Sequence, residues 1–306
     1  MPRKRQLTFP QPARRSDMKR LYPLLFVFLW STGFIGARFG IPHAEPLSFL
    51  LVRYLCVIVL MTTLAVLSGA PWPKHPRQWI HIGVSGILIH AIYLGGVFIS
   101  IKHGLPSGIA ALVVGMQPLL TALGAGWLLG ERVVARQWFG LALGFVGVTL
   151  VISGKFGLQN ALGPILIPAL AALLGITIGT LYQKHFCSGF DLRTGSVIQF
   201  VPSAIVTAIA IALFTEFQID WMPEFIFALG WLVLVLSIGA ISLLNVLIHS
   251  GSAVNVASLF YLVPLSTALI AWVLFNETLP PISLMGMALA VGGVYMTTFS
   301  RPAKTG

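Results

Sequence analysis

His90 and Tyr93 stand with Gly83, Gly86 and Val97 at spacings of 3, 4, 3 and 4, so on a helix all five share one face. The imidazole is the group there that can exchange a proton near neutral pH. Ser107, Ala110, Val114, Gln117, Thr121 and Gly124 make a second small and polar stripe. Arg53 offers a fixed positive charge able to attract a carboxylate, and Trp30, Tyr93 and Tyr261 offer rings on which an apolar or aromatic group can stack. These groups bind, orient and exchange protons. Bond-breaking chemistry would need paired carboxylates, a Ser–Lys or Ser–His dyad, or a His-Glu-x-x-His cluster, and the sequence has none. No enzyme, cofactor or metal site is expected. The two cysteines, Cys56 and Cys187, show neither metal nor disulfide spacing.

What holds these residues must be a membrane bundle. Of 306 residues 57% are hydrophobic and only 9% charged, against roughly 25% charged in a soluble domain. Such a chain cannot cover a water-facing surface, so lipid is its expected partner. The net charge of +11 does not point to nucleic acid, because no basic face accompanies it. Seven of the nineteen Lys/Arg lie in the first twenty residues, and most others punctuate the gaps between apolar runs.

A helix needs about 20 apolar residues to cross a bilayer core. Gly/Pro and charge clusters divide the chain into ten runs: 21–40, 47–69, 79–100, 105–129, 137–154, 162–185, 194–214, 225–248, 252–275 and 281–300. None alternates like a barrel strand, so all are predicted as helices. With the N-terminus cytoplasmic, fifteen Lys/Arg fall on inner segments and only Lys102 and Lys155 on outer loops. The positive-inside rule therefore puts both termini in the cytoplasm. The first run is too long for a cleaved signal and is expected to be a retained helix.

The chain also repeats itself. "QPLLTALGAGWLLGE" (117–131) and "VPLSTALIAWVLFNE" (263–277) agree at eight of fifteen positions at an offset of 146. The match continues from Gly140, Ala142, Leu143 and Gly147 to Gly286, Ala288, Leu289 and Gly293. The unit is five runs, an odd number, which predicts two inverted halves with a binding site between them near the midplane, as in alternating-access carriers. The expected fold is an all-α integral membrane protein of ten transmembrane helices, two inverted five-helix repeats around a central cavity. Its parts are a basic tail (1–20), repeats at 21–154 and 162–300, and a short tail (301–306).

"LWSTGFIGARFG" (29–40), "PLSFLLVRY" (46–54), "SIKHG" (100–104) and the two Pro…Glu motifs resemble, in order, the helix motifs of the drug/metabolite transporter superfamily in its ten-span EamA-domain branch. Thr32 and Gly33 depart from the residues usual there. The resemblance implies a secondary transporter in the cell membrane, with export of small metabolites such as amino acids favoured. A multidrug efflux carrier of the same fold and a non-transporting receptor or scaffold are the alternatives.

The expected substrate-binding set is Trp30, Arg53, His90, Tyr93, Gln117, Gln199 and Tyr261, with Gln199 the repeat mate of Arg53. For the His90 and Gln117 faces the alternative is hydrogen bonding that serves packing alone. For Arg53, roughly 10 Å from its helix end at 1.5 Å per residue, it is snorkelling to the interface. Pro118 and Pro264 are expected to kink two helices, either for packing or as hinges shaping the cavity. Gly140, Gly144 and Gly147, matched at the repeat offset by Gly286, Ala290 and Gly293, read as packing faces within a monomer or across a homodimer.

Overall fold

The structure is a computed structural model that describes residues 14–103, 105, 110, 113–153, 166–187, 189–275 and 280–298. Residues 1–13 and 299–306, with Ser107, Lys155 and Glu277, lie outside the described residues, as does the side chain of Arg38.

Among the described residues the chain forms ten helical runs and no strand. They are α1 (Arg14–Gly40), α2 (Pro46–Leu67), α3 (Pro76–Lys102), α4 (Gln117–Leu128), α5 (Ala135–Ser153), α6 (Leu166–Phe186), α7 (Leu192–Phe214), α8 (Pro223–Ser250), α9 (Ala253–Leu274) and α10 (Pro281–Thr298). Pro46, Pro76 and Pro223 open their helices, where a missing N–H costs nothing. Gly69 and Gly130, at φ 60° and 66°, follow the ends of α2 and α4.

Six helices, α2, α3 and α6 to α9, are long and apolar enough to cross a membrane by length and composition. Shorter apolar stretches occur at Leu21–Gly33 and Pro281–Thr297. The fourth predicted run departs most from a single unbroken helix. That run, 105–129, is interrupted by a turn at residues 115–116. The helix that follows has 12 residues, about 18 Å of rise.

The break has a counterpart. Pro118 sits in the first turn of α4, directly after the turn at 115–116. In α9 a 3₁₀ turn, Leu259–Tyr261, precedes the segment that carries Pro264. Both prolines therefore sit just beyond an irregular turn, where no regular i→i−4 bond has to be broken. A second pair of irregularities lies in α3 and α8, which widen into π-helix at Ile87–Ile92 and Leu232–Ala240. Moved by 146, the first falls inside the second.

Contacts between helices follow the same bookkeeping. The most extensive is α5 with α10, and α2 packs on α7. Helix α1 packs on α8 and α9, and its counterpart α6 packs on α3 and α4. The small residues explain the α5–α10 contact. A Cβ on Gly147 would stand 2.5 Å from the Ala290 nitrogen, and one on Gly293 2.4 Å from the Gly140 carbonyl oxygen. Backbone meets backbone there within one chain.

Candidate functional site

Arg53 lies on α2 with only 1% of its surface exposed, so it does not snorkel. Its Nε donates to Ser237 Oγ at 2.9 Å, from the π segment of α8. Both terminal nitrogens, Nη1 and Nη2, are buried with no hydrogen-bond partner among the described residues. Arg53 lines a cavity of about 40 Å³ whose walls include Trp30, Tyr93, Phe98 and Leu236. That volume holds two or three waters at about 15 Å³ each. A buried guanidinium with both terminal nitrogens unpaired can form paired hydrogen bonds to a planar anionic group such as a carboxylate.

Two smaller cavities lie behind shared walls. Trp30, Tyr93 and Val97 also line a space of about 20 Å³ that reaches Val114, Phe260 and Pro264. Phe260 in turn borders a space of about 10 Å³ beside Gln117, Thr180 and Lys184. Trp30 and Tyr93 stand nearly parallel, 6.5 Å between ring centroids and 15° between planes, and Phe260 meets Trp30 edge-on at 5.3 Å. Trp30, Tyr93 and Phe260 thus stand as aromatic partitions between separate spaces, one beside Arg53 and one beside Lys184. Lys184 Nζ donates to the carbonyls of Ile248 and Gly251 at 2.8 and 2.5 Å.

The other predicted residues are placed as follows. His90, fully buried in the π segment of α3, stacks on Phe200 at 4.1 Å and 14°. Neither ring nitrogen makes a hydrogen bond of ordinary geometry. Gln199 donates to Ser85 Oγ at 3.1 Å and Gln183 Oε1 at 3.0 Å, and Gln183 donates to Asn245 Oδ1 at 2.9 Å. Gln117 donates to Thr180 Oγ1 at 3.5 Å. Tyr261 is buried against Gly144 of α5 and is not among the residues lining the Arg53 chamber or its neighbour. Trp30, Arg53 and Tyr93 therefore share one chamber, and Gln117 lines the third space. Sequence reasoning missed Ser237, Gln183, Asn245 and Lys184. Ser237 is polar and well inside an apolar run, which was signal enough to include it.

Two seams close the bundle at opposite ends of α2, about 33 Å apart for its 22 residues. At the first, Glu45 is the N-cap of α2 and its N–H donates to the Gln218 carbonyl at 3.0 Å. Asp220 N donates to the His43 carbonyl at 2.7 Å, Ser48 Oγ donates to the Glu216 carbonyl at 3.4 Å, and Lys102 pairs with Glu45 at 3.4 Å. At the second, Asp191 is the N-cap of α7 and Thr194 Oγ1 donates to the Pro71 carbonyl at 2.9 Å. Asp191 and Thr194 are the mates of Glu45 and Ser48 at the same offset of 146. Arg193 adds bonds to Asp191 at 2.7 Å and Ser68 at 2.6 Å.

The Arg193 hydrogen bond holds the Asp191 carboxyl below the usual carboxylate range. Its contribution is therefore complete above the ordinary Asp pKa and is lost only as pH falls through the depressed value. Burial pushes the nearby Cys187 thiol up to about 11, so it is no nucleophile at neutral pH. Among the described residues no group of three His, Cys, Asp or Glu is placed to hold a metal ion.

Comparison with known proteins adds the wider setting. The EamA-like transporter family matches the chain twice, over residues 20–153 and 163–299. The "Uncharacterized inner membrane transporter YedA" of Escherichia coli (strain K12) is 28% identical over 291 residues, covering 93% of both chains. A "Probable amino-acid metabolite efflux pump" of Salmonella typhimurium is 28% identical over 287 residues, covering 90% of this chain and 93% of its own. A solved crystal structure shares the fold with a TM-score of 0.77, over 92% of this chain and 96% of its own, at 19% identity.

Proposed function

This chain belongs to the EamA-like transporter family, and from that premise we propose that it exports small carboxylate-bearing metabolites, amino acids foremost, by alternating access. It is a multi-pass membrane protein. In our reading ten helices cross the membrane as two inverted halves, 21–154 and 162–300, with both termini in the cytoplasm of the inner membrane. The protein works as a monomer or homodimer on a small-molecule substrate.

The observation that carries the substrate class is Arg53. It is buried, held by one hydrogen bond to Ser237, and has two free donors in a chamber with no carboxylate among its lining residues. An unpaired cation there is costly unless an anion or water meets it. Lys184, which lines the third space, adds a second positive charge. Both oppose cationic drugs. The apolar walls suit a hydrophobic side chain, and the relative named as an amino-acid metabolite efflux pump agrees with such cargo.

Alternating access is supported by the two seams, built from repeat mates on opposite ends of α2, with the chamber reached between them. If one seam opens while the other holds, the site faces one side at a time.

The test is counterflow in proteoliposomes with L-phenylalanine and L-leucine beside their amides. The amino acids should exchange at least tenfold faster than the amides. Equal rates for acid and amide would sink the carboxylate reading.

A further inference from the structure

The two irregular turns that precede Pro118 and Pro264 border one space. Val114 stands directly before the turn at 115–116, and Phe260 is the middle residue of the 3₁₀ turn Leu259–Tyr261. They are mates at the offset of 146, and both are buried, with 8% and 5% of their surface exposed. Ala110, Val114 and Gly115 from the first half meet Phe260, Val263 and Pro264 from the second around the space of about 20 Å³. Irregular backbone at membrane depth persists only where it is packed in protein or lines a cavity. Here both breaks line the same cavity, and a carrier's cargo site is typically built where two discontinuous helices meet.

This space adjoins the Arg53 chamber. Trp30, Tyr93 and Val97 line both, so three residues form the partition. A carboxylate paired with Arg53 leaves the rest of its molecule to be accommodated, and a chamber of about 40 Å³ has room for two or three waters. The space beyond the partition carries no charged side chain in its lining.

We propose that the space between the two helix breaks takes the apolar side chain of the cargo, and that Val114 and Phe260 determine which side chains fit. On loading, Trp30 and Tyr93 turn aside and join it to the Arg53 chamber. Val97, short and β-branched, stays in place. The uncharged lining rejects acidic and basic side chains, because nothing in it offsets the cost of stripping their water. Among apolar side chains Val114 and Phe260 set the size limit, since they wall the space from opposite halves of the repeat.

The inference rests on the carboxylate reading of Arg53, and its test reads the two separately. Proteoliposomes are assayed for counterflow of L-alanine, L-phenylalanine and the amide of each. The phenylalanine-to-alanine ratio reports the side-chain site, and the acid-to-amide ratio reports Arg53. Val114→Phe, which fills the space, should lower the phenylalanine-to-alanine ratio about tenfold or more, the scale on which an apolar pocket discriminates by size. Phe260→Leu, which widens the space and adds no bulk, should raise the same ratio, and it carries the test alone if Val114→Phe fails to fold.

General damage to packing slows both substrates together and cannot move the ratio in opposite directions. A phenylalanine-to-alanine ratio that Phe260→Leu leaves unchanged or lowers overturns the side-chain site. With the wild type still preferring acids to amides, that result leaves the Arg53 reading standing. Acids and amides carried alike, with the side-chain ratio shifted as expected, sink the Arg53 reading and keep the side-chain site. Failure to carry any of these compounds overturns both.

Discussion

Arg53→Leu is expected to lower kcat/KM for an amino-acid substrate about 100-fold while leaving its amide little changed. Losing one partner of a desolvated, hydrogen-bonded charge pair costs roughly 2–5 kcal/mol, and about 1.4 kcal/mol is a factor of ten. The guanidinium is fully buried with two free donors, so little water screens the interaction. Arg53→Lys keeps the charge but loses the planar fork and the Ser237 geometry, and should fall between wild type and Arg53→Leu. The readout is the acid-to-amide ratio in counterflow, which a general loss of folding would not alter. An unchanged ratio in Arg53→Leu would reduce Arg53 to a structural residue.

The second large effect concerns the seams. Replacing Ser48 and Gln218 with cysteine in a Cys56→Ser, Cys187→Ser background places two thiols where Gln218 N now reaches Ser48 Oγ at 3.2 Å. Replacing Pro71 and Thr194 does the same where Thr194 Oγ1 meets the Pro71 carbonyl. Oxidation of either pair alone should abolish transport, and reduction should restore it. Transport that survives oxidation at one seam would mean that seam does not open during the cycle.

Much of this arrangement could be read in the sequence because it is periodic or repeated. The motif at 117–131 and 263–277 predicts two related halves, and the EamA-like family matches the chain over residues 20–153 and 163–299. Spacing alone put Gly140, Gly144 and Gly147 on a packing face, where α5 indeed meets α10 backbone to backbone. Arg53 was ambiguous for a physical reason. One chain position fixes depth in a helix but not which way a long side chain turns, and Ser237, 184 residues away, decides it.

The π segments in α3 and α8 were out of reach for a similar reason. A shift from i→i−4 to i→i−5 bonding is settled by what the helix packs against, not by residue preference. The bonds of Gln183 need three helices, α6, α7 and α8, to be in place before it can accept from Gln199 and donate to Asn245. The seams escaped notice because Glu45 and Asp191 differ in residue type, as do Ser48 and Thr194, although each pair is matched in chemistry and in position.

The central claim is that the two seams open in turn around one buried site. It is tested most directly by distance measurement between spin-label pairs in lipid vesicles, one pair at Pro42 and Phe217 across the first seam, the other at Lys74 and Gly189 across the second. With L-phenylalanine added, the account predicts two populations, each with one distance long and the other short. Vesicles in which both distances lengthen together, or in which neither responds to substrate, would contradict it.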